Sequence, residues 1–146
     1  MMDAFFPFHP RFVHFPIAFS LAGVLFVAIG LARGGAAERW LWAGRRLVFL
    51  GWIGALVAGV TGLIDQSHAP DTPAVRDTVN LHITAGIALM VVFGLTLYWP
   101  LKDKRLLSGG ARRWGYLALL LLGALLILAE SWLGGQLVYK LSVGVR

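Results

Sequence analysis

The sequence predicts an all-α fold: a four-helix transmembrane bundle running up-down-up-down, with both termini on the outer, periplasmic side. Three observations carry this. The chain of 146 residues is 58% apolar and only 14% charged, which is too little polar surface for a soluble domain of this size. Four long stretches, Phe12–Ala32, Leu47–Ile64, Leu81–Leu101 and Gly115–Leu133, are almost free of charge, and each approaches the roughly 20 residues that a helix needs to cross the hydrocarbon core. The net charge of +6 is unevenly placed. Barrel strands would be shorter and would alternate in polarity; neither feature is present.

Charge sets the orientation. Arg33, Arg39, Arg45 and Arg46 fall between the first two stretches, and Lys102, Lys104, Arg105, Arg112 and Arg113 between the last two. The opposite side holds Arg11, Arg76, Lys140 and Arg146 among Asp3, Asp65, Asp71, Asp77 and Glu130. This is a positive-inside pattern, so the two basic loops are expected to be cytoplasmic. The distribution speaks against nucleic acid as a partner. Basic groups beside membrane helices meet anionic headgroups of the lipid bilayer instead.

One domain spanning 1–146 is expected, with helices over about 10–32, 46–64, 80–101 and 115–134. The first begins near Pro10 or near Pro16, since proline is tolerated in a first helical turn. The apolar stretch is long enough to span and no basic segment precedes it, so no cleavable signal peptide is expected. The second carries Gly51, Ala55 and Gly59, with Ala58 and Gly62 beside them, a small-residue stripe of the kind that lets membrane helices approach closely. The segment from Asp65 to Val79 contains Pro70 and Pro73 and is expected as an outer loop. Asn80 is then the cap of the third helix, and His82 lies in its first turn. Gly134-Gly135 is the expected stop of the fourth helix, and the mildly apolar tail 136–146 can lie on the outer surface. Trp40, Trp42, Trp99, Trp114 and Trp132 sit near stretch ends, as interfacial aromatic belts do.

The topology brings chemistry to one end. All four histidines, with Asp65 and Glu130, fall at the outer ends of the helices. His14 and His82 are placed at matched depth on helices one and three, where two imidazoles can face each other across a bundle and hold a metal or a haem iron. The blander account makes them half-wet interfacial residues. Asp65 ends the second helix, where the helix dipole opposes a carboxylate, so it either finds a partner such as His9, His14, Arg11 or Arg76 or is simply a solvated helix end. Glu130 lies about one turn inside Gly134 among apolar residues, so it needs a partner, stays protonated or snorkels outward. His9 and His14 are five residues apart and on different helix faces, unlike a helical metal pair. His68 is expected to be solvated. With no cysteine, thiolate metal sites and thioether-attached haem are excluded. No nucleophile elbow, phosphate loop or dinucleotide fingerprint assigns an enzyme activity.

The opening His9-Pro10-Arg11-Phe12-Val13-His14-Phe15-Pro16, the helix end Gly62-Leu63-Ile64-Asp65, Leu81-His82, and the tail Gly134-Gly135-Gln136-Leu137-Val138-Tyr139 resemble a family of small bacterial membrane proteins, DUF2231. The resemblance covers nearly the whole chain. It implies a bacterial inner-membrane protein similar to four-helix b-type cytochromes, with His9, His14, Asp65 and His82 matching the family pattern. Relatives often end Tyr-Arg-His-Gly-Val-Gly-Val, whereas this chain carries Leu141 at the histidine position.

The leading expectation is therefore a haem b held by His14 and His82, with Arg11 and Arg76 on its propionates and electrons passed near the periplasmic face. Asp65, Glu130 and His9 would orient imidazoles or handle protons. The alternatives are an accessory subunit of a larger respiratory or photosynthetic membrane complex, a homo-oligomer, or a metal or proton transporter. Transporters place polar groups or broken helices near the midplane, and the middles of these stretches lack ionisable residues.

Overall fold

The computed structural model describes residues 8–33, 37–108 and 110–144. Within them the chain is all-helical, with no strand. The order is α1 (His9–Phe12), α2 (His14–Ala32), α3 (Ala37–Gln66), α4 (Pro73–Lys102), α5 (Ala111–Gly135) and a π-helical turn (Gln136–Lys140). Counting α1 with α2, and the π turn with α5, four helices are long and apolar enough to cross a membrane. Asp3 and Arg146, counted among the outward charges, lie outside the described residues.

α1 and α2 are nearly one helix. Val13 between them keeps helical dihedrals, but Pro16 lacks the N–H that would bond the carbonyl of Phe12, and the ladder slips there. Thus the helix starts at His9, with Pro10 in its first turn and Pro16 buried inside.

α2 and α3 form the most extensive contact, and the sequence of small residues explains it. A Cβ on Gly44 would stand 2.8 Å from the carbonyl oxygen of Gly23, and one on Gly51 would stand 2.9 Å from the Ser20 nitrogen. The stripe runs through Gly44, Val48, Gly51 and Ala58, a three-and-four spacing that keeps one face against an antiparallel neighbour. Of the expected glycines, Gly51 has such an encounter, whereas Gly59 has nothing within 4 Å of its added Cβ; Ala58, expected beside them, is buried. Spacing of four alone drifts off a helix face, which is why Gly59 turns outward.

Three boundaries differ from expectation. α4 begins at Pro73, with Thr72 Oγ1 accepting from the Val75 N–H at 3.3 Å, so His82 lies in the third turn and exposed Asn80 is no cap. Proline at the first helical position costs no hydrogen bond, and the expected long loop shrinks. Gly134 and Gly135 do not stop α5, because Gly135 keeps ordinary helical angles (φ −61°, ψ −40°). The backbone leaves the helix at Ser142, with φ at +53°, so residues 136–140 continue the helix rather than lying on the surface.

The core is dry and sits toward the basic end. Val27, Val48, Phe93, Leu106, Tyr116 and Leu120 are almost fully buried. Phe93 fills the space opposite Gly123, where an added Cβ would come within 2.7 Å of the ring. Trp42 and Trp114 are exposed near their helix ends, beneath the guanidinium groups of Arg46 and Arg113 at 4.7 and 5.1 Å.

Candidate functional site

The end of the bundle away from the basic loops gathers His9, Asp65, His82 and Glu130 from four helices. The neighbours that admit them are small. Gly62 lies against His9, Gly86 against Glu130, and Gly134 against His82: added Cβ atoms would stand 3.0, 2.9 and 3.5 Å away respectively. Gly86 is four residues after His82, and Gly134 four after Glu130, so each pair shares a helix face.

His9 is held twice by α3. Its backbone N–H donates to Asp65 Oδ2 at 2.8 Å. This N–H is one of those that a helix start leaves without an intrahelical acceptor. The positive end of α1 also compensates the carboxylate for its place at the end of α3. The partner that Asp65 needed is therefore the backbone of His9. The ring nitrogen Nδ1 donates to the Ala58 carbonyl at 2.7 Å. A carbonyl only accepts, so Nδ1 carries a proton, and the neutral tautomer compatible with this contact has its lone pair on Nε2. Thr61 Oγ1 donates to the same carbonyl at 2.9 Å.

His82 lies across the bundle from His9. The ring centroids are 5.8 Å apart with an interplanar angle of 87°. On its other side, His82 Nδ1 is 3.4 Å from Glu130 Oε2. Both atoms are buried without a well-aligned hydrogen bond, and so is Asp65 Oδ1. The two side chains retain 16% and 22% exposure, so Glu130 points into the bundle rather than snorkelling outward. The pair is a carboxyl and an imidazole close enough to share one proton with a small rotation.

The other expected residues lie outside this cluster. His14 is exposed on α2, and it is His9, not His14, that the structure brings against His82. Arg11 is exposed on α1. Arg76 pairs with Asp71 on the exposed surface. His68 is exposed beside Ser67, 3.0 Å from Nδ1 to Oγ. Sequence reasoning missed the carbonyl of Ala58, which fixes the tautomer of His9. It read Gly62 as helix packing and Gly134 as a helix stop and connected neither these nor Gly86 with the cluster, although Ala58, Gly62 and Asp65 follow one another at spacings of four and three.

Among the described residues no three His, Asp or Glu side chains converge as a metal ion held by protein alone would need. A haem iron asks for only two axial ligands. The two imidazoles stand with ring centres 5.8 Å apart and planes nearly perpendicular. Each Nδ1 faces a carbonyl or carboxylate, as ligating histidines do in their outer shell. His9 and His82 are thus the two imidazoles that would hold a haem at this end of the bundle.

A family model described as a predicted membrane protein, DUF2231, matches residues 5–146. The chain belongs to the DUF2231 family. No curated protein and no solved structure matches it. Together the match and the four apolar helices make this DUF2231 member a multi-pass integral membrane protein in contact with lipid.

Proposed function

We propose that this protein resides in the bacterial inner membrane, runs up-down-up-down with its termini outside, and binds a b-type haem through His9 and His82 at its periplasmic end. The facing imidazoles, 5.8 Å apart, with His9 Nδ1 bonded to the Ala58 carbonyl and Glu130 Oε2 3.4 Å from His82 Nδ1, carry this reading. A bound haem would supply one-electron transfer, with a potential set by the axial ligands and their burial. The chain's own part is orientation. Asp65 fixes the start of α1, and Ala58 fixes the tautomer that leaves Nε2 of His9 as donor. Glu130 stands beside His82 Nδ1, where it can hold or pass a proton as the charge at the site changes.

The same pair favours a second reading. His82 and Glu130 can hold a proton between them with no cofactor, which the two unmatched buried atoms 3.4 Å apart support.

The deciding measurement is the visible spectrum of the full chain purified in mild detergent, as isolated and after reduction. The haem reading expects sharp reduced b-type bands, lost in His9→Ala and in His82→Ala but kept in His14→Ala. Bands lost in His14→Ala but kept in His9→Ala would replace His9 by His14. A featureless spectrum from folded protein overturns the haem reading. The proton reading then expects an infrared carboxyl band that disappears in Glu130→Gln. A colourless chain that co-purifies with larger subunits would make it an accessory component.

A further inference from the structure

The opposite, basic end carries a second feature, independent of the histidine cluster. α3 and α4 touch far less than α2 and α3 do, and between them lies a cleft of about 680 Å³. That volume is within the range of about 300–1,000 Å³ typical of ligand sites. Its walls are apolar, with Phe49, Trp52, Leu97 and Leu101 among them. The indole N–H of Trp52 already donates to the Met90 carbonyl at 3.0 Å, so it offers a guest no polar group. Gly94 keeps the wall opposite Trp52 low.

The mouth is different. Arg45 and Arg46 line it. The Arg46 guanidinium stands 4.7 Å from the Trp42 ring centre, and Lys102 Nζ stands 5.5 Å from that of Tyr98. Each wall of the cleft thus ends in an aromatic ring with a cation over it. Among the described residues, no carboxylate pairs with Arg45, Arg46 or Lys102: the ion pairs are Arg76–Asp71, His82–Glu130 and Arg112–Asp103. An apolar slot open to the bilayer, capped at the headgroup level by three unneutralised cations, selects an occupant with an apolar chain and an anionic head.

We propose that the α3–α4 cleft is a binding site for an anionic glycerophospholipid of the leaflet at the basic end. One acyl chain lies along Phe49, Trp52 and Leu97, and the phosphate lies between Arg45, Arg46 and Lys102. Arginine suits the phosphate because its planar fork can bind two oxygens at once. The site would hold one lipid in place between the two successive membrane-spanning helices that touch each other least, so it would also tie α3 to α4.

The test uses the full chain in detergent, with phosphatidylglycerol or phosphatidylcholine added, and native mass spectrometry to count retained lipid. Retention of phosphatidylglycerol in preference to phosphatidylcholine is expected. A basic residue near an anionic surface is worth about fivefold in affinity, so Arg45→Gln/Arg46→Gln should lower phosphatidylglycerol affinity by roughly thirtyfold. Arg112→Gln, at the same end but on α5, serves as the control and should leave it unchanged. Gly94→Leu probes the slot separately. Its Cβ meets Trp52 Nε1 at an ordinary 3.7 Å, so the helix tolerates it while the leucine fills the acyl path and displaces lipid of both kinds. Equal retention of the two lipids, an equal loss in Arg112→Gln, or undiminished binding in folded Gly94→Leu would each overturn the proposal.

Discussion

Phe93 and Glu130 occupy the same kind of place in two halves of one bundle. Phe93 fills the space that Gly123 leaves near the basic end, and Glu130 fills the space that Gly86 leaves near the outer end. In the first case the result is a dry core with Tyr116 and Leu120. In the second it is a carboxylate and an imidazole 3.4 Å apart with unmatched buried atoms. A glycine on a membrane helix makes room without specifying chemistry. The side chain opposite decides whether that room becomes packing or a site. Stability should therefore reside in the first half, and function in the second.

Substitutions can break that comparison. The largest effect is expected where backbone meets backbone. In Gly51→Leu, the first added carbon stands 2.1 Å from Ser20 Oγ and 2.9 Å from the Ser20 nitrogen. Overpacking typically costs about 1–3 kcal/mol, and an unyielding backbone puts this case at or above that range. Size-exclusion chromatography in detergent should show loss of the monodisperse peak, whereas Gly59→Leu, with open space around its Cβ, should elute normally. Phe93→Ala comes next. Removing a buried aromatic costs about 3–5 kcal/mol in water-soluble proteins. Lipid is as apolar as the core, so the transfer part is absent and the loss should fall at the lower end, near 3 kcal/mol. Glu130→Gln should by contrast leave the thermal midpoint close to wild type, because the amide keeps the side chain's shape and Glu130 Oε2 has no hydrogen bond to lose. A Glu130→Gln loss as large as that of Phe93→Ala would show that the outer cluster holds the fold.

How far the sequence led follows the same division. The four apolar stretches and the distribution of Arg and Lys made the helices legible, because bilayer thickness and backbone hydrogen bonding leave few other solutions. Helix ends were harder. Pro73 reads as a loop residue until it is placed at a helix start, and Gly134-Gly135 reads as a stop until a wide turn carries the helix through it. Asp65 was recognised as a carboxylate in need of a partner, and the partner was a backbone N–H that no side-chain inventory contains. His9, rather than His14, meets His82 because the helix begins at His9 and turns that ring onto Ala58 and Gly62. That rotation depends on the α1–α3 contact, which residue spacing along α1 cannot reveal.

Two smaller predictions sharpen the account of the helix termini. Asp65→Ala should cost about 1 kcal/mol, the usual loss for a side-chain acceptor at a helix start. It should also speed amide exchange in His9–Phe12 while α3 stays protected. Asp65→Asn, which can still accept from the His9 N–H, should recover most of that protection. If Asp65→Ala leaves exchange unchanged, the bond does not hold α1 in place.

The smallest effect belongs to Asp103, just beyond α4. Its carboxylate accepts from Arg112 Nη1 at 2.8 Å and from the Arg105 N–H at 3.0 Å. The hydrogen bond from Arg112, above all, holds its pKa below the ordinary carboxylate value. A group whose folded pKa is depressed stabilises the fold above its unfolded pKa, and that contribution disappears as pH falls through the folded value. Wild type should therefore melt slightly above Arg112→Ala at neutral pH, and the two curves should converge on acidification below the carboxylate range. The pair is surface-exposed, so added salt should shrink the difference as well. A gap that persists at low pH would mean that Arg112 stabilises the α4–α5 connection through its aliphatic stem rather than through Asp103.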